Sequence, residues 1–254
     1  MATRFPILTF HAFDDTPSVI SFSPRLFQRG IARLHEGGYR TLNLMEVADY
    51  VRRGAPFPDR SFVMTFDDGY ASVYGGAFPV LQHYGMSATV FLTVGEKPAT
   101  SPHASLPSLN GRSMLNWQQI RKMHRGGIAF GAHTLTHPDL TRLSPERLAV
   151  EVRDSQSIIE DALGAPVTCF AYPYGRYDRR SRDVVQRHYA CACSDRLGMI
   201  HGGSDLYALK RVDAYYLRTE RLFDLMLTGL FPWYIRARYI PRWIRRAVQL
   251  RFGG

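Results

Sequence analysis

Cysteine is scarce in this chain. Only Cys169, Cys191 and Cys193 occur in 254 residues, and an odd count without framework spacing excludes a disulfide scaffold. A chain of this length buries a core that needs neither disulfides nor a structural metal, so any metal would serve chemistry. Cys191 and Cys193 bracket one alanine and would share a face of a strand; the thiols read as buried and structural. Long apolar runs are missing too: no stretch reaches the ~18 residues of a spanning helix. The opening MATRFPILTFHAF has too short an apolar run for a signal peptide and starts a strand-like segment, so the sequence as given reads as cytoplasmic. Acid is absent from the end. After Asp224 there is none, while Arg236, Arg238, Arg242, Arg245, Arg246 and Arg251 follow, and the net charge is +10. A basic patch of this kind implies an anionic partner for the tail rather than for the whole domain. No nucleic-acid motif is present, and no nucleic acid is expected as a partner.

What is there is an alternation. Residues 7–11, 61–66, 88–94, 128–132, 168–172, 189–193 and 209–212 read as strands. The stretch 61–66 is apolar on both faces, as a buried parallel strand is. Between the strands lie helical stretches. Ser23-Pro24 opens a helix to about residue 36 that Gly37 and Gly38 stop. Residues 45–53 and 73–84 follow, the latter ended by Gly85. Asn116 caps a helix to about residue 125, Ser144-Pro145 opens one that closes at Gly164, and 179–188 is the last. About seven strands separated by helices, with no clear repeat, predict an α/β fold with a parallel sheet. A closed or nearly closed barrel is the first choice and a doubly wound sheet the second. In either, chemistry collects at the C-terminal ends of the strands. The Pro-, Ser- and Gly-rich loop 95–113 is expected to cover part of that edge.

Three polar motifs each end a predicted strand. TFDDGY (Thr65 to Tyr70) puts two carboxylates and a glycine after 61–66. Asp-Gly is ordinary turn chemistry, but paired carboxylates there also suit one cation ligand and one base. HTLTHP (His133 to Pro138) places two histidines four apart, able to converge on one cation in a helical turn or a tight loop; two surface histidines beside a proline turn is the plain alternative. FAYPYG (Phe170 to Gly175) is a turn by composition, or a turn aiming backbone N–H groups at a developing oxyanion. The conjunction carries more than any one motif. One Asp and two His make a 2-His-1-carboxylate set with open positions, and the second Asp remains as a base.

With these motifs the sequence resembles the polysaccharide deacetylase family (carbohydrate esterase family four, chitooligosaccharide deacetylases included). TFDDG resembles its first motif, HTLTH its second and YPYG its third, in order, over roughly residues 7–213. The resemblance implies a distorted (β/α) barrel of about seven strands and hydrolysis of an acetamide on an amino sugar. It implies Asp67 as general base, Asp68, His133 and His137 as ligands of a divalent metal, usually zinc, and the backbone N–H of Tyr174 in an oxyanion hole. Two departures stand out. Ala171 occupies the position where the third motif often carries an arginine that orients the catalytic Asp; Arg211 is a candidate substitute, or else half of a surface salt bridge. The late Leu-x-His motif that supplies an acid is not evident: His201 reads as a loop residue, and His11, ending the first strand, is either a site residue or a core histidine.

The expected division is a catalytic barrel over residues 1–220 and a basic aromatic tail over 221–254. The tail interleaves Trp233, Tyr234, Tyr239 and Trp243 with arginines, which suits an anionic membrane surface through residues 231–252, a terminal helix closing the barrel being the alternative. The function expected is removal of acetyl groups from a poly-, oligo- or lipid-linked saccharide. A related C–N amide hydrolase (deformylase or amidohydrolase) is the second enzyme reading, and a non-catalytic glycan-binding barrel the reading from another class.

Overall fold

The computed structural model describes residues 4–16, 18–96 and 101–239. At its centre are β1 (Ile7–Phe10), β2 (Ser61–Phe66), β3 (Thr89–Leu92), β4 (Ala129–Ala132), β5 (Cys169–Ala171), β6 (Cys191–Leu197) and β7 (Leu209–Asp213). Neighbours run in the order β1-β7-β6-β5-β4-β3-β2, every pair parallel, and β2 pairs with β1 to close the ring. The expected (β/α) barrel of parallel strands is what the chain forms. A two-residue strand, Arg40–Thr41, extends the sheet beside the start of β2.

Helices wrap the barrel, and their ends carry local signals. In α1 (Pro24–Glu36), Phe27, Ile31 and Leu34 form the buried stripe. Asn43 and Glu46 make a capping box for α2 (Leu44–Arg53), as Asn116 and Gln119 do for α3 (Trp117–Arg125). Ser144 caps α4 (Pro145–Leu163), whose left-handed end is Gly164. Asp178 caps α5 (Arg179–His188).

Strand alternation divides the apolar residues into two sets. Ile7, Val63, Phe91, Cys169, Cys191 and Leu209 pack inside the barrel, where residues of α2 with Phe5, Phe57 and Ile200 close its lower end. Their neighbours in sequence, such as Leu8, Met64, Val90 and Phe170, face the helices. The three thiols are free and buried, and Cys169 Sγ lies 3.5 Å from Cys191 Sγ. The interior is narrow. A Cβ on Gly131 would stand 2.5 Å from the Phe91 ring, so only glycine there lets Phe91 lie across the barrel.

Two elements differ from expectation. The stretch 73–84 is two short helices, Ser72–Gly76 and Phe78–His83, because Gly75-Gly76 and Pro79 punctuate it. Strand β6 runs on through the polar Ser194, Asp195 and Arg196 to Leu197, past the end read at residue 193. Beyond β7, α6 (Glu220–Asp224) packs its Phe223 over Gly30 of α1. Residues 231–239 are helical, with Phe231 and Ile235 buried in the outer core. The rest of the tail, including Arg242, Trp243 and Arg251, lies outside the described residues.

Candidate active site

The motif residues leave their strands at one end of the barrel and line a cleft of about 230 Å3. Asp67 follows β2 as the next inward position after Val63 and Thr65. Asp68 takes φ +74 and Gly69 φ +88, so the chain turns at once and the second carboxylate also enters the cleft. His133 follows β4. Its Nδ1 lies 2.7 Å from the Ala171 carbonyl; a carbonyl only accepts, so Nδ1 bears a hydrogen and Nε2 is the atom turned to the cleft. His133 Nε2 is 3.5 Å and His137 Nε2 3.4 Å from the same oxygen, Asp68 Oδ1, and one donor atom from each residue lies within 4.8 Å of the other two.

Those spacings fit a cation. Bonds of about 2.1 Å in a tetrahedral shell put ligand atoms roughly 3.4 Å apart. The donor chemistry, two imidazoles and a carboxylate, is that of a catalytic zinc site with an open position. Burial and the neighbouring His133 push His137 down to about 4, which keeps it in the neutral form that ligates. With no cation bound, burial opposes charge on both His133 and Asp68, yet the Asp68 and Asp67 carboxylates push His133 up, and its hydrogen bond and charge hold the Asp68 carboxyl below its usual range.

Asp67 is held by another partner. Arg211, inward on β7, donates from both terminal nitrogens, Nη1 to Oδ1 at 2.7 Å and Nη2 to Oδ2 at 2.6 Å. The guanidinium is itself fixed by Ser194 O at 3.0 Å and Thr65 Oγ1 at 3.2 Å, and it lies over the Phe91 ring. Both residues are 3% exposed. Burial opposes ionisation of Asp67, yet the guanidinium wins and keeps the carboxyl well below the carboxylate range. The arginine that clamps Asp67 therefore comes from β7, while Ala171 on β5 offers its carbonyl to His133.

His11, just past β1, has Nε2 3.9 Å from Asp67 Oδ2 and keeps some exposure at the rim. Tyr174 adopts φ +56 and sets its ring edge-on to His137, with centroids 4.6 Å apart. Its turn touches β6: a Cβ on Gly175, at φ +61, would fall 2.1 Å from Asp195 Cβ. His201 is exposed in a turn away from the cleft. Among the cleft residues that the sequence reading does not single out are Asn110, Asp195 and Asp213. Asn110 reaches in from the loop over the site and donates to the Tyr70 hydroxyl at 2.9 Å. Burial and the Asp68 carboxylate push that hydroxyl up to about 12, so it remains a donor beside Asp68. Asp195 and Asp213 line the rim; strict alternation along an extended β6 would have found the first.

The sequence profile of the polysaccharide deacetylases matches residues 54–190, more than half of the chain. The chain belongs to the polysaccharide deacetylase family. Among its curated relatives in the family, Bacillus subtilis YxkH is 28% identical over 210 residues, 82% of this chain and 71% of that protein. The Escherichia coli K12 poly-β-1,6-N-acetyl-D-glucosamine N-deacetylase is 30% identical over 138 residues, 51% of this chain but only 20% of that protein. Solved structures share the fold. The Streptococcus pyogenes deacetylase PplD, in complex with acetate, superposes with a TM-score of 0.79 at 24% identity, covering 90% of this chain and 100% of that one. IcaB from Ammonifex degensii gives 0.73 at 24% identity, covering 87% and 97%.

Proposed function

We propose that this family member is a metal-dependent hydrolase that removes acetyl groups from N-acetylated amino sugars. The observation that carries the reading is the division of labour between adjacent aspartates: Asp68 joins two imidazoles, whereas Asp67 stays outside that cluster, clamped by Arg211. A divalent cation, zinc by its donor set, would be held by Asp68, His133 and His137 and would supply a Lewis acid for the amide carbonyl and for a water. Asp67 then takes the proton from the attacking water. Arg211 keeps its carboxylate aimed and ionised, so the base is always available. The Tyr174 N–H donates to the oxyanion that develops on the carbonyl. His11, at the rim beside Asp67, delivers a proton to the leaving amine, so the bond to nitrogen breaks without expelling an amide anion.

The E. coli relative acts on poly-β-1,6-N-acetyl-D-glucosamine, which makes oligomers of that sugar the first substrates to offer, beside chitooligosaccharides and lipid-linked amino sugars. Mass spectrometry should show loss of acetyl and equimolar acetate. Exhaustive chelation should abolish the reaction, and one equivalent of zinc per chain should restore it. Formate release in place of acetate would favour the amide-hydrolase alternative, and binding without turnover the glycan-binding one. Full activity after chelation would sink the cation role.

The finer reading of the partner concerns the tail. Leu230, Trp233 and Tyr239 are 61%, 64% and 45% exposed, with Arg236 and Arg238 exposed beside them. The Tyr234 hydroxyl donates to Tyr216 O at 2.8 Å, tying this helix to the segment that follows β7 at the site end. We infer a peripheral hold on an anionic leaflet, next to a lipid-linked saccharide. Each arginine near such a surface contributes about 1 kcal/mol. Truncation after Tyr239 removes four arginines and should abolish salt-sensitive sedimentation with phosphatidylserine vesicles, while the melting temperature stays put because Phe231 and Ile235 remain. No sedimentation of the full chain at low salt would rule the reading out.

A further inference from the structure

We propose that Glu151, on α4, is the positioning residue that sets the geometry of the two imidazole donors. The inference rests on reading Asp68, His133 and His137 as the cation site. His133 and His137 do not sit on a helical turn. They are joined by a loop in which Thr134 takes φ +71 and His137 φ +58, two non-glycine residues in the left-handed region, a conformation that persists only when the surroundings impose it.

The His137 N–H donates to Thr134 Oγ1 at 2.9 Å within the loop, and Glu151 braces the loop from behind. Its side chain is 0% exposed and stands in the buried row of α4 with Leu148, Val152, Ser155 and Ile159, where an apolar residue would be expected. A glutamate is almost never buried to this degree without partners, and this one has four. Oε2 accepts the N–H groups of Leu135 at 2.8 Å and Thr136 at 3.0 Å. Oε1 accepts the Thr136 hydroxyl at 2.6 Å and Arg147 Nη2 at 2.6 Å. A carboxylate offers about four lone-pair sites and no donor, so the match is complete. Leu135 and Thr136 are two of the three residues between the histidines, so holding them fixes the loop that carries both rings. Arg147 also reaches Glu96 at 2.6 Å, linking the brace to the start of the loop over the cleft. An alanine here would strand the buried Leu135 amide and the part-buried Thr136 amide without their acceptor and release the left-handed residues toward extended backbone.

The test is metal affinity, measured on the full chain by competition of zinc with a chromophoric chelator, together with the visible spectrum of the cobalt-loaded protein. E151A and E151D, the latter keeping the charge but falling short of the loop, should bind zinc 10- to 100-fold more weakly, the range for loss of a group that holds a ligand in place, with an altered cobalt spectrum. E151Q keeps a carbonyl oxygen opposite both amides and should bind close to wild type. If E151A fails to fold, E151D carries the comparison. Wild-type affinity in E151D, or E151Q as weak as E151A, overturns the proposal. A wild-type chain that takes up no zinc, or H137A binding as tightly as wild type, overturns the cation-site reading instead.

Discussion

Asp67→Asn should slow deacetylation on the order of 10²–10⁴-fold, the usual contribution of a positioned base, and leave zinc binding near wild type. Asparagine has the shape of aspartate but cannot take a proton from water. Asp67 is not among the three clustered donors, so the cation should stay. His137→Ala should behave in the opposite order, losing the metal first and the activity as a result. Turnover on an acetylated oligosaccharide and the zinc content of the same samples decide the matter. Should the Asn variant shed zinc as readily as His137→Ala, the roles of the two aspartates must be exchanged.

Arg211→Met should destabilise the fold by about 3–5 kcal/mol, the cost of leaving one buried ion without its partner. Methionine fills much of the arginine's volume, so the loss reports the missing charge and hydrogen bonds more than a cavity. The sign of the pH effect follows from Asp67. Its folded value is depressed by Arg211, so the stabilisation is present above the unfolded carboxylate value of about 3.9 and is lost only as the pH falls through the lower folded value. Without the guanidinium, burial faces only His133 and His11, and the carboxyl rises. The acid limb of kcat/KM should therefore move to higher pH in the variant. Adding Asp67→Asn should return part of the stability, because the buried charge goes with it. Denaturant melts and a pH–rate profile test both statements; an unshifted limb and an unchanged melt would show that the pair neither stabilises nor tunes the base.

The strand ends were readable because they combine local signals. Apolar runs such as 61–66 stop at polar motifs, and closing the barrel brings the motifs together. What could not be read depends on distance or on context. Arg211 enters as a candidate through the family resemblance alone: it and Asp67 are 144 positions apart, and nothing near Arg211 names its partner among 22 acids. Glu151 sits in the middle of a helix whose pattern is otherwise ordinary. The histidine loop has a β-branched residue, Thr134, at positive φ, a state its local preference disfavours and that bonds from distant segments, the buried Glu151 carboxylate among them, help to hold. Strand β6 was read short because Ser194, Asp195 and Arg196 are polar, although polarity is what an inward residue at a barrel mouth should show.

Phe91 has a consequence for traffic. Lying across the barrel against Gly131 and beneath Arg211, it makes the barrel a cup and not a pipe. A saccharide can be laid over the lip but never drawn through, so entry requires no free chain end. In the proposed reaction, the acid set free at the bottom would have no way out past Phe91 and would leave by the opening that the sugar covers. Departure is then a matter of sequence: either the small product slips past the large one, or the large one lifts first.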